Sequence, residues 1–447
     1  MNLKSFFLFQ YYRLLGYFAR RYLKKWQPLV IGINGSVGKT SCRMILDEVL
    51  QSHLWDQLSI YTSPKNFNGE LGMSLSIFKI TKRTPSRKGM LSTIKTILSL
   101  LKSDQRPYDI LILEYGIDRP KEMEFLCSIV QPHISILTKL DAVHSLQFWD
   151  AHAIAHEELK LQKNTLLHCY INNGDAQGMK LSSSLQTKVS IYDTIGKEAD
   201  IYTSQYTIQH RKDKEFSSPL LSSSTLHFRQ KEVSFTTNIL GKIHHDYVAL
   251  SYDITQTIRN QYNLSPLQPK EKLTLHLQAG RFSIFEGLGD SIIIDSSYNS
   301  SPLSLRKVIE ESNHIKKTLY PDYLRLFILG DMRELWDSEV LHHKQLADYL
   351  KEIIDTSDSI ILLWQAMTTT YSELQANKNI YHYLHVTQVE KKAKEIINNS
   401  KNPYIITIKG SQNTIFLEEV TKELLAHPSD KKFLIRQEKR RDKKKWL

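Results

Sequence analysis

The stretch PLVIGINGSVGKTSCRMILDEVLQSHL, residues 28–54, constrains the fold more than any other part of the chain. A short apolar run, a glycine-rich turn and a run with apolar residues at helical spacing predict strand, loop and helix in succession. That succession is the context in which a glycine loop binds phosphate, with backbone N–H groups and the helix N-terminus facing the anion. The usual spacing, G-x-x-x-x-G-K-[ST], counted back from Gly38 asks for glycine at position 33, where Ile33 stands; Gly32 is one place early and Gly35 lies inside the loop. The match is good only at the Gly38-Lys39-Thr40 end. There Lys39 neutralises the β- and γ-phosphate charge of a nucleotide, and Thr40 offers a hydroxyl to Mg2+. Glu114 closes the apolar run YDILILE, and His144 follows the next such run, HISILTKL. Both fall at the sheet edge that carries Lys39, which makes them candidate ligands of the same cation.

Strands alternating with helices predict an α/β chain with its active residues at the strands' C-terminal ends. A phosphate-loop central domain with a mostly parallel sheet is expected over residues 29–268, and a Rossmann-like α/β domain over 269–430. The second carries the apolar runs SIIID, RLFILG, SIILLW and YIITIKG, each followed by a helical stretch. The boundary is set by the proline-containing NLSPLQPKEK. The polar segment at about 180–235, which includes HRKDKEFSSPLLSSS, reads as loops and a peripheral hairpin.

The net charge of +12 suggests nucleic acid until it is located. Residues 1–28 carry +6 with no acid, residues 431–447 carry +7, and the 402 residues between them net −1. A neutral body without a recognition module excludes specific nucleic-acid binding, and leaves a basic tail at 431–447. Cys42, Cys127 and Cys169 show neither metal spacing nor a disulfide framework, which suits a reducing cytoplasm. The first 28 residues have no signal-peptide cleavage pattern, and no later stretch approaches the ~18–20 apolar residues of a membrane span. They read as a basic amphipathic helix. Two readings of it stand: peripheral contact with the inner face of an anionic membrane, or packing on the protein's own body with the cations solvated.

Several separated stretches together resemble the ATP-dependent Mur ligases of peptidoglycan assembly, above all the branch that adds D-alanyl-D-alanine. NGSVGKT is similar to that family's loop, which accounts for the displaced first glycine. SPKNFNGELG, LEYGIDRPKEMEFL, QPHISILTKLDAVHSLQF and INNGDA follow in the family's order, and then AGRF, IIIDSSYNSSPLSL, LGDMREL and ITIKGSQN. The resemblance runs from about residue 30 to 415, and His343 stands where the LGDMREL motif's trailing His is expected. It implies ATP and Mg2+ as cofactors, and phosphorylation of a substrate carboxylate followed by attack of an amine on the acyl phosphate. It implies nucleotide contacts from Gly35, Ser36, Gly38, Lys39, Thr40, Ser41, Arg281, Asp295 and Asn299. Thr40, Glu114 and His144 become metal ligands, Lys39, Glu114, His144 and Glu158 catalytic residues, and Asn66, Asn68, Asp331 and Lys409 substrate contacts. The implied partners are small molecules, a peptidoglycan-precursor acid and D-alanyl-D-alanine or another amine.

The chain departs from the family at four places. The phosphate loop begins at residue 32, without the usual domain of about a hundred residues that binds a uridine nucleotide. Where the family carries a lysine modified to a carbamate, IAHEELK places Glu158, with Lys160 two positions on. Either Glu158 supplies the carboxylate directly, or the site has lost one function. The paired acids of the DDSYN motif are Asp295 and Ser296 here, and the HN segment is altered in GKIHHDYVAL. The alternatives to the leading function are a related ligase acting on a lipid-linked or non-muramyl acid, and a weakly active nucleotide-binding protein at the membrane.

Overall fold

The computed structural model describes residues 3–63, 67–82, 86–140, 151–193, 199–211, 218–333, 335–375, 379–411 and 415–437. The chain divides into two compact units. The first comprises Met1–Ser204, Thr225–Val233 and Lys242–Pro269, and the second Gln205–Ser224, Ser234–Gly241 and Lys270–Leu447. The α/β class expected from the sequence is the class observed.

The first unit is built on parallel strands β1 (Leu29–Asn34), β2 (Ile60–Thr62), β3 (Ile110–Glu114), β4 (Ile134–Leu137), β5 (His168–Asn172) and β6 (Lys188–Tyr192). Their order is β6-β5-β4-β1-β3-β2. From β1 the chain runs to the edge strand β2, returns to β3 beside β1, and then crosses to β4 on β1's other side. The strand order therefore reverses at β1, and the crevice outside such a switch point is where open α/β sheets bind ligands. β1, β3, β4 and β5 are buried along their whole length. That explains the apolar runs of β1 and β3 up to the polar residues that end them, because a parallel strand is covered on both faces.

Helix α1 (Leu3–Trp26) belongs to this unit's core. Leu15, Ala19, Tyr22 and Leu23 are buried with Ile77, Phe78, Leu111, Leu113, Met123 and Leu126. Arg20 donates to the Ser128 carbonyl at 2.9 Å, and Lys25 pairs with Asp104 at 3.1 Å. Packing on the protein's own body, one of the two sequence readings, thus describes one face of the helix. Helix α2 (Lys39–Leu54) rises directly from the glycine loop and lies against the helix Lys242–Gln261. Helix α3 (Glu70–Ile77) follows the Asn68 segment.

The segment expected to be loops and one hairpin holds more regular structure. Besides β6 it carries β7 (Ile201–His210), β8 (Leu220–Phe228) and β9 (Lys231–Thr237). Along β8 the residues alternate between buried and half-buried from Ser222 onward. The alternation is written largely in Ser and Thr, so it does not stand out as an apolar period of two.

The second unit contains β10 (Lys272–Leu273) and a six-stranded sheet. That sheet comprises β11 (Ser283–Gly287), β12 (Ser291–Ser296), β13 (Leu324–Gly330), β14 (Ser359–Leu363), β15 (Ile380–Tyr383) and β16 (Tyr404–Lys409). The order is β11-β12-β16-β13-β14-β15, parallel throughout except for β11. The four apolar runs read from the sequence are β12, β13, β14 and β16; β11 and β15 are the outer strands of the sheet. Buried His343 accepts from the Met332 N–H at 3.2 Å, and its Nδ1 donates to the Glu339 carbonyl at 2.8 Å. The two contacts pin the turn after β13.

Candidate phosphate-binding site

The loop leaves β1 at Asn34 and turns back through two glycines with left-handed backbone, Gly35 at φ +119° and Gly38 at φ +94°. A Cβ on Gly35 would overlap Thr138 Oγ1, and one on Gly38 would overlap the Tyr247 hydroxyl. Glycine is required at both positions for conformation and for space. The Lys39 ammonium curls back onto the Gly35 carbonyl. The Ser36 and Val37 amides donate to the Lys139 carbonyl at 2.7 and 3.2 Å. Helix α2 begins at Lys39 with no side-chain cap. The first-turn amides of Lys39, Thr40 and Ser41 consequently have no intrahelical acceptor, which is the arrangement that holds an anion.

Glu114 ends β3 beside this turn and is 5% exposed. Its Oε2 accepts from Thr40 Oγ1 at 3.3 Å, and its Oε1 pairs with Arg43 Nε at 2.6 Å. Arg43 also donates to Thr62 Oγ1 at 3.0 Å and to the Ser63 carbonyl at 2.8 Å. Sequence reasoning missed Arg43. The available signal was its position three residues after Thr40, one helical turn on and on the same face. A hydroxyl and a carboxylate oxygen at the mouth of a phosphate loop are the oxygen donors a Mg2+ takes alongside water and phosphate. His144 and Asn66 lie outside the described residues. Among the described residues no three His, Cys, Asp or Glu side chains gather around one metal position.

Glu158 ends the helix Ala151–Glu158 and is buried against the loop. Its Oε2 accepts from Asn34 Nδ2 at 2.8 Å and from the Gly35 N–H at 3.3 Å. Gln162 holds the other end of the Asn34 amide, donating to its Oδ1 at 2.7 Å. Lys160 is committed elsewhere, to Glu124 at 2.6 Å and Glu157 at 2.7 Å. Asn34 and Gln162 were likewise not foreseen, being polar residues more than a hundred positions apart in sequence. Asn68 packs on Gly116, two residues beyond Glu114, and its carbonyl accepts the Gly116 N–H at 2.9 Å.

In the second unit, Asp295, Asn299 and Lys409 gather at the C-terminal ends of β12 and β16. Lys409 Nζ donates to the Asn299 carbonyl at 2.8 Å and to Ser296 Oγ at 3.3 Å. Ser296, which replaces the family's second acid, is thus a partner of Lys409. The Arg281 guanidinium stacks 4.2 Å over the Tyr298 ring, and the Tyr298 carbonyl accepts from Arg436 at 2.7 Å. Asp331 follows β13, its carboxylate accepting the Met367 N–H at 3.0 Å. Burial pushes the Asp295 carboxyl up to about 6.

Burial, helped by the Arg281 charge, brings Lys409 down from 10.5 to about 7. Below pH 7 folded and unfolded chains both hold that proton, and the burial penalty is complete. As pH rises from about 7 the folded chain has released the proton while the unfolded chain keeps it, so stability rises. Lys409→Met is therefore expected to melt above the parent near neutral pH, with the gap closing toward the ordinary lysine range. Melting temperatures of the pair across that window check it; a gap independent of pH would refute it.

Residues 33–248 match the family described as Mur ligase middle domain. That stretch, just under half of the chain, is similar to the middle domain of the Mur ligases. The UDP-N-acetylmuramoyl-tripeptide–D-alanyl-D-alanine ligase of Bacillus subtilis (strain 168) is 23% identical over 424 residues, 92% of this chain and 79% of the relative. The enzyme of the same name from Buchnera aphidicola subsp. Baizongia pistaciae is 25% identical over 406 residues, 88% of this chain and 75% of the relative. Among solved structures, MurF ligase from Thermotoga maritima in complex with ADP superposes with a TM-score of 0.68 at 18% identity, over 92% of this chain and 83% of that one. MurF from Acinetobacter baumannii gives 0.67 at 17% identity, over 92% and 80%. These structures share the Mur ligase fold with this chain.

Proposed function

We propose that this protein is an ATP-dependent, ADP-forming enzyme that joins D-alanyl-D-alanine to the tripeptide carboxylate of a UDP-N-acetylmuramoyl precursor. The observation that carries the reading is the Lys39, Thr40 and Glu114 set at the β1 switch point, in a chain alignable over 92% of its length with a ligase of that name. A carboxylate resists attack by an amine because oxide would have to leave. Transfer of the γ-phosphoryl group from ATP to a carboxylate oxygen releases ADP and leaves an acyl phosphate. The amine then attacks the acyl carbon, phosphate departs with the C–O bond's electrons, and the amine's proton is lost to water or a base. Lys39 and the first-turn amides of α2 hold charge on the moving phosphoryl. Bound through Thr40 and Glu114, Mg2+ supplies further neutralisation of that charge.

Glu158 supports a permanent carboxylate beside the loop, in place of a carbamate that forms from CO2. Its contacts with Asn34 and Gly35, and the commitment of Lys160 to Glu124 and Glu157, favour this over a lost function. Activity is then expected to be unchanged in CO2-depleted buffer, and Glu158→Gln to lose activity on the order of a hundredfold. Bicarbonate-dependent activity of the parent enzyme would count against the assignment.

The deciding assay incubates the protein with ATP, Mg2+, UDP-MurNAc-tripeptide and D-alanyl-D-alanine and seeks the pentapeptide by mass spectrometry. Product that needs both substrates supports the reading. ATP binding without product would overturn the substrate assignment, and a panel of lipid-linked and non-muramyl acids would follow.

A further inference from the structure

Helix α1 has two faces of opposite character. The inner stripe of Leu15, Ala19, Tyr22 and Leu23 is buried in the first unit. The outer face is made of two adjoining rows at helical spacing: Phe6, Arg13, Tyr17, Arg20 and Lys24, and beside them Phe7, Leu14 and Arg21. Phe6, Phe7, Leu14 and Tyr17 are 45%, 63%, 40% and 46% exposed. Arg13, Arg20, Arg21 and Lys24 are exposed as well. Three of the four large apolar groups, Phe6, Phe7 and Leu14, lie in the first half of the helix, and three of the four cations, Arg20, Arg21 and Lys24, in the second. The helix contains no Asp or Glu.

Scattered exposed apolar residues are ordinary and call for no partner. Contiguous rows that share their face with cations making no carboxylate pair among the described residues do call for one, and the two parts of the face specify it. Phe6, Phe7, Leu14 and Tyr17 gain by leaving water, whereas Arg13, Arg21 and Lys24 gain from fixed negative charge. A second copy docked on the same face would set these cations against their own equivalents. A nucleic acid would satisfy the cations and leave the phenyl rings wet. The headgroup boundary of an anionic bilayer meets both demands at once. Among the described residues no helix is long and apolar enough to cross a membrane, so the contact is one of lying on the surface.

We propose that the outer face of α1 docks the protein on an anionic lipid bilayer, with the Phe6, Phe7 and Leu14 side chains at the headgroup boundary and the cations against lipid phosphates. The inference is independent of the reaction proposed above.

The test is flotation of the full chain with phosphatidylcholine vesicles, with and without phosphatidylglycerol, at low and high salt. Binding is expected only with phosphatidylglycerol and is expected to fall as salt rises. Phe6→Ser/Phe7→Ser should weaken partitioning at least about tenfold. Arg13→Gln/Arg21→Gln/Lys24→Gln should weaken it roughly a hundredfold. Both variants replace exposed side chains, and equal melting temperatures establish that the fold is intact. The salt and lipid dependence of the parent needs no variant at all. Absent binding or equal binding to neutral vesicles would overturn the proposal. So would variants that float like the parent, or a parent dimer that the variants convert to monomer.

Discussion

Replacing Lys39 with alanine is expected to cut ADP formation on the order of a thousandfold while leaving the melting temperature nearly unchanged. The half-buried side chain curls onto the Gly35 carbonyl at the turn from which α2 springs. Among the described residues its ammonium makes no ion pair with a carboxylate, so the folded chain loses little when it is removed. The departing phosphoryl group loses much more. Negative charge spreads over its oxygens in the transition state, and a fixed cation in a site that excludes water stabilises that charge strongly. The split between activity and stability is the informative readout. Turnover at the parent rate would remove Lys39 from the reaction, and a large fall in melting temperature would make it a structural residue.

Arg43→Met should lower stability by about 3–5 kcal/mol, the usual cost of leaving one charge of a buried pair uncompensated. In a unit of this size that corresponds to a melting temperature lower by roughly 10 °C. Glu114 is the charge left behind, 5% exposed and stripped of its 2.6 Å partner. Thr40 still faces its other oxygen. Saturating Mg2+ with ADP should raise the variant's melting temperature more than the parent's, because a divalent cation on Glu114 replaces the missing guanidinium. Equal gains in the two proteins, at matched ionic strength, would mean that Glu114 does not take the cation.

The strands that frame the site were legible because burial on both faces writes itself as apolar runs, and Glu114 could be read as the acid ending one of them. Asp295, in β12, entered only through the resemblance of IIIDSSYNSSPLSL to a family motif. What the sequence hid depends on which distant segments meet. Arg43 looks like any helical arginine until β3 brings Glu114 against it. Glu158 stands 124 positions from Asn34, and only the packing of its helix on the loop joins the two. Sequence left the role of Glu158 open between a working carboxylate and a vestige; its contacts favour the first. The strands of the 180–235 segment escaped for a different reason, since Ser and Thr fill positions where larger apolar residues would have marked the alternation.

Because β1 is laddered on both sides and buried throughout, its amides can exchange with deuterated solvent only when the whole sheet opens. The phosphate loop is the direct continuation of that strand. Nucleotide held at the loop therefore stabilises the unit as a body, and slowed exchange in β1, β3 and β4 becomes a gauge of occupancy read far from the ligand.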